Sequence, residues 1–532
     1  MRKNQQKQIL EVLETIAEAQ SAGLFADCQD CAIGVGEYIE QIEGEGTRTV
    51  ELLEEYCELL FKASNGETDD NALKDHMSSI EDSVKTELKP NRIEIAFLSY
   101  IASMSDSIET IYLAAKADPD CDAFWIPIPY YDRNPDGSLG TMHCEGAESY
   151  GGGIECTDWH EYDIEARRPD VIFTFNPYDA ENFVTSVHPD YYCERLRGLT
   201  EMLVYVPYFV VADDISEHFV LVPGCKYAHK VIIQSEVIRD RYVSIFKARY
   251  GDEHGKPEEK FLALGSPKFD KVINAKREDY ELPSPLSDLI GGRKVILYNT
   301  TISAILAGGG QYLEKLRHVI ETFRNSDEVA LWWRPHPLSE TTFESMRPEL
   351  RKEYGKIVSD YKRAGLGIYD DTPEDGSAKE GERTNLKYDD KTKLGRVDEG
   401  ETSNFIYDDT SDLYRAINFA DAYYGDWSSL VPLFGVTGKP IVIQDVNSIE
   451  SEVTLRFTGY FEDITNALIE KSLGNIASFF ATAIPKEENI NNERRDKYLE
   501  TSANKNGSAG KSSYDYISVV VKGGAVYERR RE

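Results

Sequence analysis

The sequence predicts an α/β protein: two Rossmann-like domains in tandem, preceded by an N-terminal helical region. Two observations carry this. Short apolar runs alternate with amphipathic or loop stretches in two separate series, over 91–282 and 283–484, and such alternation builds parallel, doubly wound sheets. Residues 1–90 instead repeat apolar positions at three- and four-residue steps, with no strand-like run. A chain of 532 residues is also too long for one core.

In the helical region Ile9, Leu10, Val12, Leu13 and Ile16 form one stripe, and Val50, Leu53, Tyr56, Leu60 and Phe61 another. Such stripes need partners, so a helical hairpin or small bundle is expected, with an acidic linker near 65–70 and a surface suited to domain packing or self-association. The first αβ series has runs at 93–98, 123–128, 171–175, 203–206, 231–233 and 261–264, and the second at 294–298, 329–333, 366–369, 420–424 and 441–443. The Gly-rich stretch 132–156 reads as a long loop. Between 370 and 408 an acidic segment duplicates itself, IYDDT at Ile368 recurring at Ile406, and it reads as a surface insertion. Residues 485–532 form a polar tail.

The hydrophobic fraction of 41% and 32 tyrosines suit a globular enzyme, while a net charge of −35 repels nucleic acid and anionic lipid. No signal-like or membrane-spanning apolar stretch is read, so the expected location is cytoplasmic, with peripheral association at the inner face of the membrane as the closest approach to lipid. All eight cysteines precede Lys226 and only Cys28 and Cys31 are close together, which favours reduced, structural thiols over a metal site.

Ligands of open α/β sheets sit beyond the carboxyl ends of the strands. In the second series those ends carry Asn299, Thr300 and Thr301; the turn with Asp426; and Ser428-Ser429, which open a helix. A helix start with added hydroxyls suits a phosphate, and an N-cap role for Ser428 is the plainer reading. WWRPHP holds Arg334 and His336 just past a strand, either as phosphate donors or as an ion-paired arginine and a packed turn. In the first series the ends carry 176–179, Pro207-Tyr208 and Gly265-Ser266-Pro267-Lys268.

Taken in order, ALGSPKFDKV, KVILYNTT, WWRPHP, SDLYRAINFADAYYGDWSS and GKPIVI resemble the CDP-glycerol glycerophosphotransferase family of teichoic-acid polymerases, over roughly 230–443. The resemblance implies a GT-B fold, a nucleotide-diphosphate donor such as CDP-glycerol, and phosphate contacts from His336, Ser428 and Ser429. The family's His-Gly pair, associated with the acceptor's general base, is replaced here by VYVPYFV, with Tyr208. Lys268 and Trp427 also depart from its Arg and Tyr. Alternative bases are Asp213, Asp214, His218 and His188, among which spacing does not choose. The expected function is transfer of a glycerophosphate, polyol phosphate or sugar to a cell-surface polymer or lipid-linked precursor. Arg334 and His336 would act on the leaving phosphate, with Ser428, Ser429, Asp426, Asn299, Thr300, Thr301 and Gly265 around the nucleotide. The donor is then a substrate, and neither cofactor nor metal is expected. The other reading is a non-catalytic nucleotide-binding or scaffold protein of a surface-polymer pathway.

Overall fold

The computed structural model describes residues 1–532 except 69, 135, 152, 213, 325, 337–338, 369–386, 390–393, 397–403, 409, 411, 446–467, 470–476, 478–479, 482–501, 505 and 523–532. Four helices open the chain, Lys3–Ser21, Phe25–Glu43, Arg48–Ser64 and Asp70–Thr86. Their stripes close a core of Leu13, Ile39, Tyr56, Leu60 and Ile80, and the buried Tyr56 hydroxyl donates to Gln20 at 2.6 Å. Arg2 and Arg167 converge on the buried Glu94 carboxylate at 3.0 and 2.8 Å, joining this bundle to the next domain.

The strands that follow are β1 (Ile93–Ser99), β2 (Cys121–Pro127), β3 (Tyr130–Arg133), β4 (Leu139–His143), β5 (Val171–Thr174), β6 (Thr185–Val187), β7 (Met202–Tyr205), β8 (Lys230–Ile233) and β9 (Phe261–Ala263). Six make a parallel sheet in the order β2-β1-β5-β7-β8-β9. Each matches an apolar run of the sequence, because both faces of the sheet are covered and alternation is lost. The stretch 132–156 is not simply a loop: β4 lies within it and pairs antiparallel with β3, which pairs with β6. Half-exposed strands of this kind leave no apolar run to read.

The second domain contains β10 (Lys294–Thr300), β11 (Val329–Pro335), β12 (Leu366–Ile368), β13 (Lys387–Asp389), β14 (Leu394–Arg396), β15 (Phe405–Asp408), β16 (Ala422–Gly425), β17 (Ile441–Ile443) and β18 (Leu468–Ile469). Their order is β13-β14-β12-β15-β11-β10-β16-β17-β18, with β13 and β14 as an antiparallel hairpin on the edge and the rest parallel. Two Rossmann-like domains in tandem behind a helical bundle make the GT-B architecture.

The expected surface insertion 370–408 is corrected by its last residues. Phe405–Asp408 form a fully buried strand between β12 and β11, and Phe405 stacks on Tyr361 with centroids 4.5 Å apart. The remainder of that segment lies outside the described residues except β13, β14 and Asn404. Ile368, the first residue of one copy, ends β12, and residues 406–408 of the other copy lie in β15, the parallel neighbour, which a tight turn cannot connect to β12.

After β10 the helix Ile302–Phe323 begins and breaks at Gly309, whose φ is 54°. A Cβ at Gly309 would meet Arg347 Nη2 at 2.5 Å, and Arg347 Nη1 donates to the Leu306 carbonyl at 2.9 Å, satisfying a group near the break. Part of the polar tail is also structural. The helix Ala509–Val521 returns to the first domain, seating Tyr514, Ile517 and Val521 in its core. Asp270 accepts from the amides of Ala509 and Gly510 at 2.8 and 2.7 Å.

The two domains meet through charge and apolar contact. Lys268 Nζ donates to both oxygens of Asp106 at 2.5 and 2.6 Å, and the buried Tyr414 hydroxyl of the second domain donates to the same carboxylate. Val210, just after β7, packs in the second domain's core with Phe269 and Val272.

Candidate functional site

In the second sheet, strand order reverses between β10 and β16, and the polar candidates gather at that switch point. The pairing Asn299↔Gly425 ends the β10/β16 ladder, while Thr300↔Pro335 ends β10/β11 and carries His336 to the same edge as Thr301. The backbones approach so closely that a Cβ on Gly425, at φ 147°, would lie 2.1 Å from the Asn299 carbonyl oxygen. Only glycine fits.

Asp426 holds this edge from beneath. One oxygen accepts from the Thr301 amide at 2.6 Å, the Thr301 hydroxyl at 3.2 Å and the Tyr312 hydroxyl at 3.3 Å, and the other accepts from Gln444 Nε2. Burial pushes its carboxyl above the usual range, with these donors pulling the other way. Asp426, expected around the nucleotide, is therefore a brace: both its oxygens accept from groups of the protein, and a carboxylate would repel an anion. Thr301 caps the helix Ile302–Phe323 by accepting from the Ala304 amide at 3.3 Å. Thr300 is buried and accepts from Trp333 Nε1 at 3.2 Å.

Asn299 Nδ2 donates to Ser428 Oγ at 3.2 Å, and Ser428 Oγ accepts from the Leu430 amide at 3.2 Å. Ser428 thus has the capping role. Ser429 is exposed and its side chain caps no amide. The helix behind them, Leu430–Gly435, has only six residues, so its dipole contributes little.

Arg334 is the clearest correction. Its Nη1 donates to Asp408 Oδ2 at 2.6 Å and to the Asp412 carbonyl at 3.3 Å, and its Nη2 donates to the Thr410 carbonyl at 2.6 Å. Trp332 Nε1 donates to the same Asp408 oxygen at 2.8 Å. A fully buried carboxylate requires this cation, so the guanidinium is structural. His336 is half-buried, and burial lowers its pKa, leaving the imidazole neutral at neutral pH.

The acceptor-side candidates divide. Tyr208 and Tyr178 hydroxyls lie 2.8 Å apart beyond β7 and β5, and burial raises the Tyr208 pKa further from a base's useful range. His218 stacks near Tyr178 at 6.2 Å. His188 Nδ1 accepts from the Asp190 amide at 3.2 Å among Tyr131, Trp159 and Tyr191, as a turn residue. Asp214 is exposed near Arg241 at 3.7 Å, and Asp213 lies outside the described residues. Gly265 is removed from the donor edge: at φ 95° it packs against the tail, where a Cβ would meet Asn504 Cβ at 2.6 Å. Lys268 is spent on Asp106.

Sequence reasoning missed Tyr100, Tyr130 and Glu145, which join Tyr178 and Tyr208 around the carboxyl end of the first sheet. Tyr100 follows β1 and meets the Tyr130 ring edge-on at 5.7 Å. The usable signal was an aromatic residue just beyond β1, β5 and β7 alike. Among the described residues no group of three or more His, Cys, Asp or Glu could hold a metal ion, and no helix is long and apolar enough to cross a membrane.

The fold and its two strand-end clusters define a GT-B type of two-domain protein. No family model and no curated protein matches the chain. Similar solved structures include the wall teichoic acid polymerase TagF, at 14% identity over 90% of this chain and 99% of that one, with a TM-score of 0.42. They also include an S. aureus MnaA–UDP co-structure, at 11% identity over 80% and 96%, TM-score 0.43. A UDP-N-acetylglucosamine 2-epimerase matches at 11% identity over 83% and 98%, TM-score 0.43.

Proposed function

We propose that the chain is a transferase that moves a glycerophosphate, related polyol phosphate or sugar from a nucleotide-diphosphate donor to a polymer or lipid-linked acceptor. The observation that carries it is the β10/β16 switch point. There Asn299, Ser428 and Ser429 edge a crevice whose shape is fixed by Gly425 and the buried Asp426. Such a crevice is where open α/β sheets take phosphorylated ligands. The donor's diphosphate would face the Ser428 and Ser429 region and His336, and the donor is a substrate rather than a cofactor.

CDP-glycerol is the preferred donor on the ordered motifs of 230–443, and work at the cytoplasmic face of the membrane follows from that reading. A neutral His336 can donate a hydrogen bond to a leaving phosphate as negative charge develops there. The raised Tyr208 pKa favours a second reading, a nucleotide-binding protein without turnover. Incubation with CDP-glycerol and glycerol-primed acceptors, followed by CMP release, separates the two. Acceptor-dependent CMP release supports the transferase; nucleotide binding with no release from CDP-, UDP- or GDP-linked donors supports the second reading.

A further inference from the structure

We infer that the tyrosine cluster at the carboxyl end of the first sheet is the binding site for an uncharged, hydroxyl-bearing acceptor group, a polyol or sugar, with Glu145 as the base that takes the reacting hydroxyl's proton. The base assignment rests on the transferase reading above; the binding assignment stands apart from it.

Strand order reverses between β1 and β5, so this is the first domain's own switch point. Tyr100 extends from β1, Tyr178 and Tyr208 from β5 and β7 with their hydroxyls 2.8 Å apart, and Tyr130 comes from the antiparallel ribbon. Glu145 enters on the loop after β4, and its Oε2 accepts from the Ala102 amide at 2.5 Å. That bond fixes one oxygen and leaves Oε1 to receive a proton.

Ala102 follows Tyr100 by two residues and Tyr130 pairs with His143, two residues before Glu145, so the carboxylate is anchored close to both tyrosines along the chain. Burial raises its own pKa, which makes the carboxylate a stronger base than an exposed one. The side chains brought together there are Tyr100, Tyr130, Tyr178, Tyr208 and Glu145, with no lysine or arginine among them. Such a lining stacks on C–H faces and hydrogen-bonds hydroxyls, but gives a phosphate no counter-charge. The cluster also adjoins the domain seam, since Val210, two residues past Tyr208, packs in the second domain's core.

In the step implied, the acceptor's O–H bond breaks and its proton passes to Glu145. Its oxygen bonds to the electrophilic atom of the transferred group, and the bond from that atom to the nucleotide phosphate oxygen breaks, the electron pair leaving on the nucleotide.

The binding arm titrates glycerol, ribitol and glycerol 3-phosphate into the full chain by ligand-observed NMR, with wild type, Tyr178→Phe, Glu145→Gln and Glu145→Ala. Glycerol and ribitol should bind, Glu145→Gln should keep affinity within about threefold, and Tyr178→Phe and Glu145→Ala should each weaken it about fivefold or more. Ribitol binding that all three variants leave unchanged overturns the site. Glycerol 3-phosphate binding tenfold tighter than glycerol, in a manner these variants weaken, overturns the uncharged-ligand assignment. The kinetic arm follows acceptor-dependent CMP release: Glu145→Gln should lower kcat about 100-fold or more with donor KM unchanged. Wild-type turnover retained in that variant overturns the base role. Absence of turnover in wild type removes the transferase reading, and with it the base role, while the NMR arm still decides the site.

Discussion

The two carboxyl ends of the two sheets are built from opposite materials. The first is aromatic, with phenols and one carboxylate on loops of different origin. The second is lined by small polar residues and backbone, braced by buried charge: Asp426 beneath Thr301, and Asp408 on Arg334 and Trp332. A stacked cluster tolerates loss of one polar atom, whereas a buried ion pair does not tolerate loss of one charge. Sites of the first kind suit uncharged ligands and those of the second suit anions held by fixed donors.

The largest expected effect tests whether the duplicated segment belongs to the second sheet. Deleting 370–407 leaves one copy of IYD in the sequence and one strand where β12 and β15 stood, and aligning Ile368 with Ile406 puts Gly367 in the place of Phe405. Loss of this buried ring should cost about 3–5 kcal/mol. The bonds from Asn404 Nδ2 to the Phe323 and Val329 carbonyls, at 2.7 and 2.6 Å, would go too. Chemical denaturation checks this, and unchanged stability would return the segment to the surface.

Arg334→Ala should cost about 3–5 kcal/mol, because Asp408 would stay charged without its partner. Tyr178→Phe, which removes a single hydroxyl contact at the other end, should cost only about 0.5–1.5 kcal/mol. Urea unfolding of both variants sharpens the contrast, and equal losses would erase it.

These pairs also show what the sequence could reveal. Apolar runs marked every central strand except β15, because Phe405–Asp408 sits in an acidic duplicate whose repetition resembled low-complexity sequence. Asn299 was readable as a polar residue at the end of β10, and Ser428 and His336 because they follow β16 and β11 along the chain. Arg334 was visible, but its partner lay 74 residues away, so ligand and structural roles had equal standing. Glu145 carried no motif, since only the ribbon of β3 and β4 brings it to Ala102.

A smaller effect concerns protons. Burial lowers the His336 pKa, so the imidazole is neutral at pH 7 before ligand binds; an anion beside it would favour the charged form and raise that pKa. Diphosphate binding should therefore take up protons, strengthening as pH falls from 8 towards 6, each unit of upward shift corresponding to about 1.4 kcal/mol. Titration in buffers of different ionisation enthalpy measures the uptake, and His336→Gln should abolish it. The smallest effect is expected from Ser429→Ala, an exposed hydroxyl near backbone donors, with affinity lowered about two- to threefold.

The central proposal is that a nucleoside diphosphate sits at the β10/β16 edge, and calorimetric titration of CDP, UDP and cytidine into wild type, Asn299→Ala, Ser428→Ala and His336→Ala tests it directly. One diphosphate should bind wild type far more tightly than free cytidine, and Asn299→Ala and His336→Ala should each weaken it about tenfold while circular dichroism stays unchanged. Diphosphate affinity equal in wild type and all three variants would contradict a donor site at that edge.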